Sequence, residues 1–442
     1  DHADRMALLA PVLADVPPAV RFPEMLPGLA IALEVEALGL LFALIAATLW
    51  LPSIFYSLGY LRANGEAHQS RFFACFALSI ASAVGIAFAG NLLTLFLFYE
   101  ALTLVTWPLV THHGDAEARR GGRTYLALLL GTSTLFLLPA IVATWVYAGT
   151  LDFVPGGILR DRVSPGVATL LLLLYAFGIG KAALMPFHRW LPAAMVAPTP
   201  VSALLHAVAV VKAGVFSVVK VVVYVFGLDA AGADFTPLVT IAAFTLLAAS
   251  VVALRADNLK RRLAYSTVSQ LAYVVLAVAL IAPLSVVGAA LHIAAHAAGK
   301  ITLFFAAGAV YTAAHKTRVS ELDGIGRRMP WTFAAFGVAS LSMIGLPPTV
   351  GALSKWFIVG GAWQADNALA LAVVVLGTLL SAGYLLPIVH RAFLRPAAAA
   401  GATHGEAPAT MVAALVATAA LTVAILVFPD VPLALARGLV AR

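Results

Sequence analysis

The stretch 178-GIGKAALMPFHRWLP-192 follows the apolar run 167-VATLLLLLYAFG-178, and so sets a lysine, Lys181, and then a helix-breaking proline, Pro186, deep in hydrophobic sequence. Apolar runs of about 20 residues, the length that crosses a bilayer as a helix, recur from end to end. Of 442 residues, 62% are hydrophobic and 11% charged, well short of the roughly 25–35% charge that a water-facing surface carries. The chain therefore reads as an all-α, polytopic membrane protein. Twelve segments are expected, at 36–61, 71–90, 91–110, 123–149, 164–184, 199–226, 236–255, 262–282, 285–313, 331–364 (interrupted), 368–393 and 408–428. Residues 36–442 read as one transmembrane domain, preceded by an N-terminal remnant and outer loop over 1–35. The most polar tract, 396–407 with His404 and Glu406, reads as a loop.

The N-terminus, 1-DHADRMALLAPVLADVPP-18, has neither an initiator Met nor the basic start and apolar core of a signal peptide. Residues 1–20 read as the tail of a helix whose beginning lies outside this sequence. The single cysteine, Cys75, excludes a disulfide framework, an iron–sulfur cluster and a Cys-based zinc site within the chain. No dinucleotide fingerprint or phosphate loop is present, since 178-GIGK-181 lacks the second half of one. No catalytic, cofactor-binding or metal-ligating residue is expected, and any redox chemistry would lie in partner chains.

The net charge of +7 does not require nucleic acid, because basic loops on one membrane face produce it equally well. With twelve spans, sixteen Lys and Arg fall on one side, among them Arg62, Arg119, Lys260, Arg261, Arg328 and Arg395. Six fall on the other: Arg5, Arg21, Arg160, Arg162, Arg437 and Arg442. The positive-inside rule makes the sixteen-residue face cytoplasmic and places the protein in the inner (cytoplasmic) membrane of a cell.

Five lysines belong to neither face: Lys181, Lys212, Lys220, Lys300 and Lys355. Glu100 joins them in 91-NLLTLFLFYEALTLVTWPLV-110, with His206, His292 and His296. Each ionisable group at mid-membrane costs at least ~2.5–3.5 kcal/mol on insertion scales, so such groups persist where they face one another, face water or carry ions. Lys220, two turns past Lys212, also fits a side chain that snorkels to the outer interface. His206 also fits a satisfied core histidine, and Glu100 with Lys181 a static pair. His292, His296 and Lys300 are spaced i, i+4, i+8 and share a helical stripe about 12 Å long. His292 and His296 alone would be a poor zinc site, with no third ligand nearby. Lysine suits proton transfer because burial draws its pKa toward neutrality and a nearby carboxylate raises it again, while histidine titrates in range unaided.

Pro186 interrupts the fifth segment after Lys181, and Gly345, Pro347, Pro348 and Gly351 interrupt the tenth before Lys355. Irregular backbone at membrane depth is tolerated only inside protein or beside water. The breaks lie five spans apart, so 71–226 and 236–393 read as two five-helix repeats of opposite topology, a plan in which paired broken helices mark an ion path.

The stretch 180-GKAALMPFHRWLPAAMVAPTPVSALLHAVAVVKAG-214 closely resembles the signature of the proton-translocating, antiporter-like membrane subunits shared by respiratory complex I, Mrp-type cation/proton antiporters and membrane-bound hydrogenases. Further matches are 96-FLFYEALTL-104, 257-DNLKRRLAYSTVSQLAY-273, 292-HIAAHAAGKITLFFAAG-308 and 340-SLSMIGLPPTVGALSKW-356, in family order over most of the chain. The resemblance implies a fourteen-helix fold, of which the first helix and most of the second are not in this sequence. It implies proton-translocating roles for Glu100 paired with Lys181, for Lys212 with His206 on the same helix, for His292, His296 and Lys300, and for Lys355. The implied route runs from cytoplasmic entry along this axis to release on the outside near Lys355. Implied partners are other membrane subunits of a hetero-oligomeric complex, with H+ and, as a further candidate, Na+ as cargo, and lipid around them. Lysine at 355 and the form G-L-P-P-x-x-G-x-x-x-K point toward the D-like branch of Mrp antiporter subunits. Alternatives are a pumping subunit of a complex I-like oxidoreductase or hydrogenase, and the membrane subunit of an inorganic-carbon uptake complex.

Overall fold

A computed structural model describes residues 2–14, 16–26, 28–396 and 405–440. The middle of the 396–407 tract, including His404, lies outside the described residues, as do Asp1 and Arg442. A short helix, α1 (His2–Leu13), precedes a hairpin of β1 (Ala19–Leu26) and β2 (Leu29–Glu34). The strands pair antiparallel with Ala19 opposite Glu34. The expected outer loop is thus partly ordered as a sheet. Its second strand docks sideways, with the Glu34 N–H donating to the Phe88 carbonyl at 2.7 Å and the Gly90 N–H to the Ala32 carbonyl at 2.8 Å. Pairing with the turn after a membrane span satisfies a strand edge that sequence periodicity does not reveal.

Ten described helices are long and apolar enough to cross a membrane. They are α2 (Ala37–Ala63), α3 (Gln69–Ala87), α4 (Leu92–Val110), α5 (Ala116–Ala148), α7 (Thr199–Phe226), α8 (Thr236–Arg255), α9 (Leu259–Ala279), α10 (Pro283–Ala314), α13 (Ala368–Leu394) and α14 (Ala409–Val427). The two remaining expected spans are the interrupted ones. The first enters as α6 (Pro165–Gly178), breaks at Lys181, and resumes as short turns over 187–196. The second is α11 (Pro330–Ile344) followed by α12 (Val350–Gln364). A last short helix, α15 (Asp430–Arg437), follows α14.

Local chemistry sets several ends. Asp115 accepts from the Ala118 N–H at 2.7 Å and starts α5 earlier than apolarity alone suggests. Asn91 and Asn258 cap α4 and α9 in the same way. At the second break Gly345 takes φ +94°, a conformation that disfavours any other residue, and a Cβ there would meet Lys355 Cδ at 2.5 Å.

Burial sorts the spans. The apolar stretches of α7 and α10 are wholly buried and that of α9 is 94% buried, whereas the other long helices are 33–50% buried. A helix buried on every side needs no polar face of its own, yet these three carry His206, Lys212, Lys220, Gln270, His292, His296 and Lys300. The ionisable interior is therefore the centre of the fold.

Candidate functional site

Lys181 sits in the first break, fully buried. Its Nζ donates to the Tyr99 carbonyl at 2.8 Å and the Thr103 hydroxyl at 2.6 Å, and lies 3.2 Å from the Tyr99 ring centroid. The expected contact with Glu100 is not made: the carboxylate oxygens of Glu100 are buried without a hydrogen-bond partner among the described residues. The reason is helical geometry. Tyr99 and Thr103 are i, i+4 on the face of α4 turned to the break, and Glu100 is rotated about 100° from Tyr99. Glu100 is the neighbour in sequence of Tyr99, whose carbonyl holds the Lys181 ammonium. The break is wedged against α7, where a Cβ on Gly214 would fall 2.3 Å from the Lys181 carbonyl carbon.

Lys212 and His296 meet directly, Nζ to Nδ1. One proton between two bases is the arrangement that proton exchange requires. Lys212 also donates to the His206 carbonyl at 3.2 Å. These residues are six apart and point in different directions on a straight helix. Here α7 passes through a π-turn at Leu204–Val208, and Ala209 departs to φ −106°, ψ −74°. The distortion turns a backbone carbonyl toward Lys212, while the His206 ring packs 4.6 Å from the Phe304 centroid. His206 is not a satisfied core histidine, for neither ring nitrogen has a hydrogen-bond partner among the described residues.

The stripe on α10 divides. The His292 and His296 rings stack with centroids 6.3 Å apart. Lys300, drifting round the helix, turns to α9 and donates to the Ser266 hydroxyl at 2.6 Å and the Leu263 carbonyl at 3.3 Å. Ser266 contacts Tyr384 Oη, which contacts Ser381, which contacts Gln270, which contacts His292. Lys300 and His292 are thus rejoined through four polar side chains, none of which stands out in the sequence. The signal is faint: buried Ser, Gln and Tyr at helical spacing in 266-STVSQLAY-273.

Protonation can be read from the bonds at His292. The Gln270 amide nitrogen faces the Met343 carbonyl at 3.3 Å, so its oxygen, 3.0 Å from His292 Nε2, must accept and Nε2 must carry a hydrogen. On the other side His292 Nδ1 lies 2.9 Å from Ser354 Oγ, which also lies 3.1 Å from the Gly351 carbonyl. Ser354 has one hydrogen. With neutral His292 it donates to Nδ1; with protonated His292 it accepts from Nδ1–H and turns to Gly351. The first turn of α12 therefore registers the charge on His292.

Lys355, next along from Ser354, donates to the Ile344 carbonyl at 2.9 Å and the Thr378 hydroxyl at 3.2 Å, with its Nζ 4.4 Å from the Tyr273 centroid. Ile344 closes α11, so the lysine occupies the negative end of a half-helix dipole. No hydrogen bond among the described residues joins Lys181 to Lys212.

Lys220 corrects its snorkelling expectation. It is buried, 2.7 Å from the Glu36 carboxylate, and donates to the Ala89 carbonyl at 2.6 Å. Glu36, at the edge of the first expected span, is a buried carboxylate that sequence reasoning missed. Lys260, counted with the basic loops, is half-buried and aims inward at the Ala197 carbonyl, 2.6 Å away.

Two interrupted helices holding buried lysines, packed around continuous helices that carry buried histidines and lysines in a mostly helical membrane fold, define a class of integral membrane protein with an ionisable interior. The family described as NADH:quinone oxidoreductase/Mrp antiporter, TM, matches residues 89–381. The chain is 33% identical to NADH-quinone oxidoreductase subunit N of Desulforudis audaxviator over 375 residues, covering 83% of this chain and 73% of that protein. It is 32% identical to the A/B component of a probable K(+)/H(+) antiporter of Rhizobium meliloti, covering 84% of this chain but 37% of that protein. It is 29% identical to hydrogenase-4 component B of Escherichia coli, covering 89% of this chain and 62% of that protein. One polypeptide of the Mrp complex from Dietzia superposes with a TM-score of 0.86 at 21% identity, covering 99% of this chain and 89% of that one. This chain belongs to the NADH:quinone oxidoreductase/Mrp antiporter membrane-subunit family and is an antiporter-like integral membrane protein.

Proposed function

We propose that this chain conducts protons between its two faces as one member of a multi-subunit membrane complex, with the Arg- and Lys-rich face cytoplasmic. The observation that carries the reading is the direct Lys212–His296 contact on two wholly buried helices, continued by ring stacking to His292 and by side chains to Lys300. Glu100, Lys181, His206, Lys212, His292, His296, Lys300 and Lys355 are assigned to translocation. Arrival of a proton at one base disfavours protonation of the next, so charge advances stepwise. Glu100 acts on Lys181 through space rather than through contact. The spans 71–226 and 236–393 serve as two inverted halves, each supplying one interrupted helix.

Lysine at 355 and the motif before it favour the role of a D-like Mrp component, exchanging protons for a monovalent cation. The 33% identical subunit N favours as second reading a pumping subunit of a complex I-like assembly. Proton flux by the purified complex in proteoliposomes tests the proposal. Lys212→Met should lower flux by about 10²-fold with assembly intact, and unchanged flux refutes it. Flux that depends on Na+ supports the Mrp reading; flux driven by quinone reduction supports the other.

A further inference from the structure

A cavity of about 640 Å³ opens on the basic face, between the ends of α2, α7, α9 and α10. Ala63, Glu66 and His113 stand at its rim, and Thr199, Lys260 and Ala307 line it further in. A polar cavity of this size holds water. The inner positions share a register. Thr199 is seven residues before His206 on α7, Ala307 seven residues from Lys300 on α10, and Lys260 six residues before Ser266 on α9. Each helix thus runs from the cavity to a member of the buried axis in roughly 10 Å. Between them stands an aromatic layer: Tyr56 stacks on Phe305 with centroids 3.8 Å apart, and Phe304 packs on His206.

At the rim, Glu66 Oε1 lies 3.2 Å from His113 Nε2, and Glu66 Oε2 lies 3.6 Å from His112 Nε2. The other charged and titratable groups that face this cluster or the cavity are Tyr60, Arg71, His68, Asp115, Glu117, Tyr311, His315 and Lys316.

Building on the translocation reading, we propose that this cavity is the loading chamber of the axis. The Glu66–His112–His113 cluster captures protons from the basic side, and Lys260 relays them inward. In the transfer, His113 releases its ring proton to chamber water, and the neutral Lys260 amine takes a proton onto its lone pair, becoming an ammonium that donates to the Ala197 carbonyl. The hydrogen bond that His113 Nε2 donates to Glu66 holds His113 above the ordinary histidine range, and the same bond holds Glu66 below the ordinary carboxylate range. The His113–Glu66 contact therefore favours a proton on His113 at the mouth of the chamber, outside the membrane interior.

The test uses the full complex with Cys75→Ala, reconstituted in one orientation. Ala63→Cys, on the chamber wall, is compared with Ser70→Cys, on the same face outside the chamber. A membrane-impermeant cationic thiol reagent added on the basic side should lower flux of the Ala63→Cys complex about tenfold and leave the Ser70→Cys complex unchanged. Quantitative labelling of Ala63→Cys with full flux overturns the chamber. As a second variant, Lys260→Gln should reduce flux and His113→Gln should move its pH profile downward; unchanged profiles in both overturn the relay. If the parent complex carries flux that Lys212→Met abolishes while these results fail, only the chamber assignment falls. If the parent shows no flux, the translocation reading falls with it.

Discussion

Ser354 and Gln270 decide how His292 behaves. The amide fixes the hydrogen on Nε2, and the serine hydroxyl answers the state of Nδ1. Ser354→Ala removes the hydroxyl that senses that nitrogen, while leaving the fold untouched apart from one buried acceptor, a cost of about 1–3 kcal/mol. Flux should fall by about 10-fold or more, and Ser354→Thr, which keeps the hydroxyl, should restore most of it. Proton flux with a thermal-melting control reads both effects. Glu66 and His113 give a pH signature at the same scale. His113 is raised by its bond to Glu66, so its stabilisation is complete below the ordinary histidine range and is lost as pH climbs through the raised value. Glu66 is lowered by the same bond, so its share is present above the ordinary carboxylate range and is lost on acidification through the lowered value. Melting curves of the purified protein between roughly pH 6 and 9 should show a small decline, at most about 1 kcal/mol because both groups meet solvent. Glu66→Gln should flatten it.

Interrupted helices need their loose ends satisfied. The leading N–H groups of α11 are served from about 75 residues away in sequence: Glu406 accepts from the Trp331 N–H at 2.8 Å, the Thr332 N–H at 3.2 Å and the Thr332 hydroxyl at 2.5 Å. A carboxylate there also meets the positive end of the helix dipole. Glu406→Ala should cost about 1–2 kcal/mol, seen as a lower melting temperature. Flux per assembled complex should persist, because Lys355 takes its bonds from the opposite end of α11. Flux lost without a change in melting would contradict this division of labour.

Across the molecule, the buried Glu36–Lys220 pair ties the start of α2 and the turn after α3 to the C-terminal half of α7. Removing one partner leaves a desolvated charge, so Lys220→Met should destabilise by about 3–5 kcal/mol. Adding Glu36→Gln should recover most of that loss, because a neutral pair no longer strands a charge. Melting temperatures of the single and double variants separate the outcomes. A double variant as unstable as the single one would mean that the pair contributes through shape rather than charge.

The apolar segments, both breaks and the buried placement of Lys181, Lys212, Lys300, Lys355, His206, His292 and His296 were legible in the sequence, because hydrocarbon penalises charge and irregular backbone so heavily that each exception stands out against 62% hydrophobic residues. Lys260 and Glu36 were missed for the complementary reason: both lie at the ends of spans, where a solvated residue and a buried one look alike in composition. Partnership was decided only by the tertiary structure. Lys181 bonds Tyr99 and Thr103 rather than Glu100 because one residue on a helix is about 100° of rotation, and Lys212 reaches His296 only because two helices cross there. One-dimensional order records the energetic cost of burying each group. Which neighbour relieves that cost depends on how helices are rotated and packed, and that appears only in three dimensions.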